Sequence, residues 1–414
     1  MIIRPGGSVP SIPAGFDFTD PDLLAERLPV EEFAELRRTA PVYWNPQPDG
    51  RSGFATGGYW VVTKLDAIKE ISCNPEVFSS EENTAVIRQP SDTTRAEIEI
   101  QRAMLLNMDP PKHTRFRRII SKGFTPRAVE TLRAALRERA ERIVHEASTS
   151  GGGDFVEQVA SELPVQAIAE LLGVPQADRG QLFEWTNQIM GYDDPDFEGD
   201  HRMATASVMG YAWNLAEEKR RAPRNDLVTT LIQADVEGAG LTSEEFAWFV
   251  VLLIVGGNEN TRNAISLGMK AFVDHPDQWE IYKTQRPRTA VDEIVRWATP
   301  VVAIQRTALR DTEISGQPIA AGDRVGLFYA SANFDESHFE NPYEFDILRT
   351  HNPHVGFGGS GTHHCAGANL ARLEIDLMFN TIADVMPNLS EISPPIRLRS
   401  GWLNAIKSWK VAYS

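Results

Sequence analysis

Apolar positions recur at helical spacing along most of the chain. Between 128 and 149, Val129, Leu132, Leu136, Ile143 and Val144 share a face with Arg and Glu between them. Between 155 and 172, Phe155, Val159, Ile168 and Leu172 repeat the pattern until Gly173 stops it. The densest apolar run, Phe246 to Val255, is ten residues long. That is about half of the ~20 residues that cross a bilayer, so it predicts a buried helix and no membrane anchor. Thr242 and Glu245 stand before it at the spacing of a capping box, and the pattern continues past Arg262 to Ile265 and Met269, predicting one long central helix. Leu370, Leu373, Leu377 and Ile382 mark a further amphipathic helix.

Strand signals are fewer. They fall at Tyr59–Thr63, and across 301–329, where Ser315-Gly316 and Ala321-Gly322-Asp323 read as turns. Residues 398–413 read as a last hairpin. The expected fold is mainly α with a smaller β portion, at about 40–65, 301–329 and 390–414, the rest being a helical body. No Gly/Ser or Pro-rich linker interrupts the chain, which predicts a single domain over 1–414. From Asn333 to His364 no periodic element is visible, and an ordered loop of that length usually carries function.

Composition narrows the function. With 42% hydrophobic and 24% charged residues the chain is globular, and 41 Lys plus Arg against 57 Asp plus Glu gives a net charge of −16. That charge disfavours nucleic acid or an anionic membrane as the bulk partner, so any basic docking patch is local. Met1–Phe18 has one Arg and no apolar core, unlike a secretory signal. Two cysteines, Cys73 and Cys365, form no disulfide framework, and the expected location is the cytoplasm.

The long loop ends in His354-Val-Gly-Phe357-Gly358-Gly359-Ser-Gly361-Thr-His363-His364-Cys365-Ala-Gly367, just ahead of the Leu370 helix. Free N–H groups and the positive end of the dipole at a helix N-terminus favour a thiolate, and a thiolate is a metal ligand. A lone cysteine is also an ordinary small hydrophobe. His351, His354, His363 and His364 beside it suggest zinc, but no second Cys at short spacing completes such a set. The glycine density points instead to close approach of a flat cofactor.

At these residues the chain resembles the cytochrome P-450 superfamily, in which a Cys thiolate holds haem. Phe357-Gly-Gly-x-Gly361-x-His363-x-Cys365-x-Gly367 is similar to its haem loop. The resemblance implies haem b with Cys365 as the iron ligand, and O2 as co-substrate. Glu293-Ile-Val-Arg296 resembles the family's E-x-x-R pair, and Asn341–Arg349 the segment that it holds, with Arg349 the third structural member. His113 and Arg117 in His113-Thr-Arg115-Phe-Arg117-Arg118, with Arg306 and His363, match the propionate positions. Gly256-Gly257-Asn258-Glu259-Asn260-Thr261 is similar to the oxygen-groove segment, with Asn260 where Thr is usual. There Glu259, with Asn258, Asn260 and Thr261, is the expected proton relay, and Gly256 and Gly257 the groove over the cofactor.

Closer still, Pro111–Val129, Asp292–Pro300 and Leu398–Asn404 resemble the actinobacterial steroid C26(27)-monooxygenases. This implies terminal hydroxylation of a cholesterol or cholest-4-en-3-one side chain, either alone or continued to the aldehyde and acid; related groups oxidise methyl-branched lipids. No dinucleotide fingerprint follows a strand, so electrons are expected from ferredoxin and ferredoxin reductase. Arg115, Arg118, Lys122 and Arg372 are the candidate docking patch. Ile100, Val255, Val301, Ile304 and Trp402, with Ile87, Ile98, Leu105, Trp185, Ile189 and Met190, are candidate linings of an elongated apolar site. The Asn260 departure also suits a non-catalytic haem or lipid-binding protein on the same fold.

Overall fold

The computed structural model describes residues 11–224, 226–234 and 240–413, without the Lys122 side chain. Met1–Pro10 and the Lys122 member of the expected docking patch thus lie outside the described residues.

The central helix runs Ser243–Asp274, and both bonds of its capping box form, Thr242 N–H to the Glu245 carboxylate and Glu245 N–H to the Thr242 hydroxyl, each at 3.0 Å. It is apolar nearly all round because it lies inside a bundle, in contact with the helices Glu162–Leu172, His201–Arg221, Ala290–Ala298 and Ala368–Val385. No helix among the described residues is long and apolar enough to cross a membrane.

Two expected helices are interrupted. The one over 128–149 is a short Pro126–Glu130 turn followed by Arg133–Thr149. At the break the Thr131 hydroxyl donates to the Ala128 carbonyl at 2.6 Å, the local competition that disfavours Thr inside helices. The one over 155–172 begins as a π turn, Val156–Ala160, and becomes α only at Glu162. Pro164 has no N–H to give the preceding turn, which accounts for the change of pitch. Gly173 ends it in the left-handed region at φ 66°.

The main sheet has five strands in the order Val42–Pro46, Gly58–Val62, Arg324–Phe328, Ala303–Ala308, Phe78–Ser79. Gly58–Val62, Arg324–Phe328 and Ala303–Ala308 are buried at every residue, so side chains on both faces meet protein. Two strands fall outside the expected β segments, Phe78–Ser79 and Gly152–Asp154. The C-terminal hairpin is also different from expectation. Ile406–Ser408 pairs with Ile396–Arg397, whereas Lys410–Tyr413 pairs with Gly152–Asp154 and Leu389–Glu391. The fully buried Trp409, edge-on to Phe155 at 5.5 Å, anchors the chain between the two pairings. No helix or strand lies between Ala332 and Ala368.

Candidate functional site

Cys365 lies two residues before Gly367, the N-cap of the Ala368–Val385 helix, and its N–H donates to the Phe357 carbonyl at 2.9 Å. The side chain keeps accessible surface although it lies deep among protein atoms, as for a residue lining an interior recess. Burial raises the thiol pKa; the Gly367 N–H, Arg117, Arg372 and the Ala368 N–H oppose it without prevailing. Burial thus opposes the ionisation that the helix N-terminus favours, and a cation at the sulfur would offset it.

Most of the loop's glycines serve protein packing. A Cβ on Gly359 or Gly361 would collide with Ser72 of the Leu65–Ser72 helix, and one on Gly356 would sit 2.6 Å from Val295 Cγ1. Gly358 and Gly367 are open, with no neighbour of their Cβ positions closer than 3.4 Å. The glycine density thus seats the loop on its neighbours, and only part of it remains for a cofactor.

Four cationic or ionisable side chains converge on one another at His363, two residues before Cys365. His113 and Arg117 stand one turn apart on the Lys112–Ile120 helix, Arg306 comes from the buried strand Ala303–Ala308, and His363 from the loop. The His113 and His363 rings lie 4.3 Å apart. Burial, then the charges of Arg117 and Arg306, lower the His113 pKa to about 4, and burial with Arg306 and His113 drives that of His363 well below its usual range. His113 Nδ1 is buried without a hydrogen-bond partner, and Arg117 and Arg306 form no carboxylate ion pair among the described residues. Such mutual repulsion with an orphaned nitrogen is relieved by anions, which fits the carboxylates of haem. Together with the thiol of Cys365, the donor set fits haem. Among the described residues no group of three or more His, Cys, Asp or Glu converges as a metal set of another kind. Ser80, whose Oγ is 3.1 Å from His363 Nε2, and Tyr329, whose hydroxyl faces this cluster, carried no sequence signal.

On the central helix the expected polar segment divides between two sides. Gly256 meets only Leu252 of its own helix, at 3.9 Å from its Cβ position, whereas a Cβ on Gly257 would lie 2.5 Å from Ile168 Cδ1. Gly257 thus admits the neighbouring helix and Gly256 is the open position. Asn258 also faces that neighbour, lining a small cavity with Ile168, Leu182 and Thr186, and both its amide atoms lack partners. Glu259 is fully buried; its Oε1 accepts from Arg262 and from Asn263 Nδ2, and Oε2 has no partner. Arg262 in turn reaches Asn187 Oδ1 at 3.2 Å, so Arg262 is a member of the segment that sequence reasoning missed. Asn260 donates to the Gly256 carbonyl at 3.2 Å with its Oδ1 unpartnered, and Thr261 donates to the Gly257 carbonyl at 3.1 Å.

The structural trio comes together. Glu293 and Arg296 pair in bidentate fashion, and Arg349 Nε reaches Glu293 Oε2 at 3.2 Å. Arg296 also donates to the carbonyls of Asn333, Pro342 and Glu344, which ties the loop to the helix Ala290–Ala298. Of the apolar candidates, Ile87, Ile189, Met190, Val255, Val301 and Trp402 meet in one cluster. Ile304 belongs to the neighbouring cluster under the sheet, and Ile100 is 55% exposed on the outer face of Arg95–Gln101. The docking candidates have partners: Arg115 pairs with Glu245 at 2.6 Å and Arg372 with Asp292 at 2.8 Å, and the exposed Arg118 is not free either.

The cytochrome P450 family profile matches residues 288–383, which include the Glu293–Arg296 pair and the Cys365 loop. A steroid C26-monooxygenase of Rhodococcus jostii is 60% identical over 98% of this chain and 86% of its own. A methyl-branched lipid omega-hydroxylase of Mycobacterium tuberculosis is 41% identical, over 92% of this chain and 90% of its own. The solved structure of a Mycobacterium marinum cytochrome P450 with pseudoionone superposes with a TM-score of 0.89 at 35% identity, covering 98% of this chain and all of that one. With the thiol loop, the cationic cluster and the long central helix assembled as they are, this chain belongs to the cytochrome P450 family and is a haem-thiolate monooxygenase.

Proposed function

We propose that this enzyme hydroxylates the terminal side-chain carbon of a sterol such as cholesterol or cholest-4-en-3-one, with electrons supplied by a ferredoxin and its reductase. The observation that carries the reading is the 60% identity, along nearly the whole chain, to a protein named steroid C26-monooxygenase, against 41% for the methyl-branched lipid hydroxylase. The apolar cluster of Ile87, Met190, Val255, Val301 and Trp402 is consistent with a large hydrophobic substrate.

Cys365 would hold the haem iron, with His113, Arg117, Arg306 and His363 taking the propionates. When bound, thiolate-ligated haem supplies activation of O2 and insertion of one oxygen atom into a C–H bond. The protein's part is to exclude water, orient the substrate and move protons. Gly256 leaves room beside the central helix; the unpartnered Glu259 Oε2 would take up and release the proton, and the unpartnered Asn260 Oδ1 would orient the water that carries it toward the site.

The test is a titration of the haem protein with cholest-4-en-3-one, cholesterol, a methyl-branched fatty acid and a linear one, following the haem spin state, with product analysis under NADH and a ferredoxin pair. Spin shift and terminal hydroxylation with the sterols support the reading. Turnover of the branched acid without any sterol response overturns it.

A further inference from the structure

Arg372, expected on the docking surface, is partly exposed and is also tied to its neighbours. Its guanidinium lies over the Phe357 ring, 4.4 Å from the centroid. Its Nε donates to Asp292 Oδ1 at 2.8 Å, and His354 Nε2 stands 3.2 Å from the same oxygen. His354 Nδ1 accepts from the Gly356 N–H at 3.2 Å, which leaves Nε2 to carry the proton and donate to Asp292. The His354 and Phe357 rings are 5.7 Å apart, and the Phe357 carbonyl is the acceptor of the Cys365 N–H. Phe357 is thus held between Arg372 and His354, both moored to one carboxylate, and is tied by its backbone to the sulfur-bearing residue.

We propose that Arg372 is a positioning residue that fixes a positive charge on Phe357, the residue whose carbonyl holds the Cys365 N–H, through its stack on that ring and its tether to Asp292, and so sets the reduction potential of the haem. This rests on the haem-thiolate reading and is independent of which substrate is turned over. A fixed positive charge favours the reduced, less positive centre, so removing it should make reduction harder. Arg suits the task better than Lys because its planar group can stack and bind a carboxylate at once.

The experiment is a dithionite titration of the purified haem protein, without any protein donor, in the wild type, R372Q, R372M and R372K. The neutral variants should lower the reduction equilibrium about tenfold, ~59 mV for a one-electron couple, with R372K between them and the wild type. The reduced carbon monoxide spectrum of each variant confirms that the thiolate ligand is intact. If the neutral variants keep the wild-type potential and are slowed only when a ferredoxin delivers the electron, Arg372 is a docking residue and the proposal falls. It falls equally if neither neutral variant binds haem while R372K does so at the wild-type potential, because the side chain then only pins the loop. A protein without any thiolate-haem spectrum, wild type included, would instead fail the haem reading itself.

Discussion

Glu293 and Arg296 meet through two parallel hydrogen bonds, 2.8 and 2.7 Å, with neither side chain exposed to solvent. A pair at this spacing on a surface helix contributes a few tenths of a kcal/mol. Here the environment reverses the scale. Glu293 also accepts from Arg349, from Asn352 and from the Asp346 N–H, and Arg296 serves three loop carbonyls. Replacing either member by Ala strands a buried charge at a cost of ~3–5 kcal/mol. Glu293→Ala and Arg296→Ala are expected to yield protein with little haem and a lowered melting temperature, although neither side chain belongs to the thiol or propionate groups. Haem content and melting near wild type in both variants would contradict the structure.

The loop's seat on the Leu65–Ser72 helix can be tested by pairing two glycines. Gly361 has φ 75° and no room for a Cβ beside the Ser72 carbonyl, while Gly316 has φ 80° in open space. Gly316→Ala should cost only the strain of a left-handed alanine, ~1 kcal/mol. Gly361→Ala bears that strain and must also lift the loop off the helix, so it should melt several degrees lower than Gly316→Ala and lose haem. Equal melting temperatures and haem contents would show that the contact is soft.

The elements that proved legible in the sequence are those fixed by local chemistry. The Thr242–Glu245 capping box, the left-handed Gly173 and the turns of the 301–329 strands are read from neighbours in the chain. The Cys365 loop and the Glu293–Arg296 pair were legible because each is a short motif, and Glu293, Arg296 and Arg349 meet as expected. What was not legible depends on long-range packing. Nothing near Tyr413 indicates that its strand joins Gly152–Asp154, and nothing near Gly257 shows that Ile168 occupies the space its missing side chain leaves. The ties of Arg372 were hidden for the same reason, since Asp292 and Phe357 reach it only in the fold.

His113 predicts a pH dependence. Burial and the charges of Arg117 and Arg306 hold its pKa at about 4 against an ordinary 6.5. Between those values the unfolded chain binds a proton that the native haem-free protein does not, so stability rises with pH across this window and falls on acidification. Below about 4 both states are protonated at this group, and it adds nothing more. Carboxylates delivered to the cluster reverse the shift, so haem binding should take up protons at pH 5 to 6. Calorimetric titration of haem into the protein in buffers of different ionisation enthalpy should detect that uptake, and His113→Asn should reduce it. An uptake unchanged by the substitution would remove His113 from the propionate group.

The central helix gives the sharpest ordering of variants. Glu259 keeps one oxygen on Arg262 and Asn263 and leaves the other unpartnered, the state of an acid that is held in place yet still able to accept a proton. Asn260 spends its N–H on the Gly256 carbonyl and offers a free Oδ1 beside the open glycine, while Thr261 is bound back to Gly257, the glycine that faces Ile168. Glu259→Gln should therefore slow turnover by ~10²-fold, the scale of a positioned acid–base group. Asn260→Ala should raise the peroxide released per NADH consumed, Asn260→Thr should remain active because a hydroxyl also donates and accepts, and Thr261→Ala should change little. Stopped turnover and peroxide assays with a ferredoxin pair separate these outcomes. Uncoupling by Thr261→Ala with wild-type behaviour in Asn260→Ala would mean that the hydroxyl, and not the amide, faces the reacting centre, and the assignment of the segment would shift by one residue.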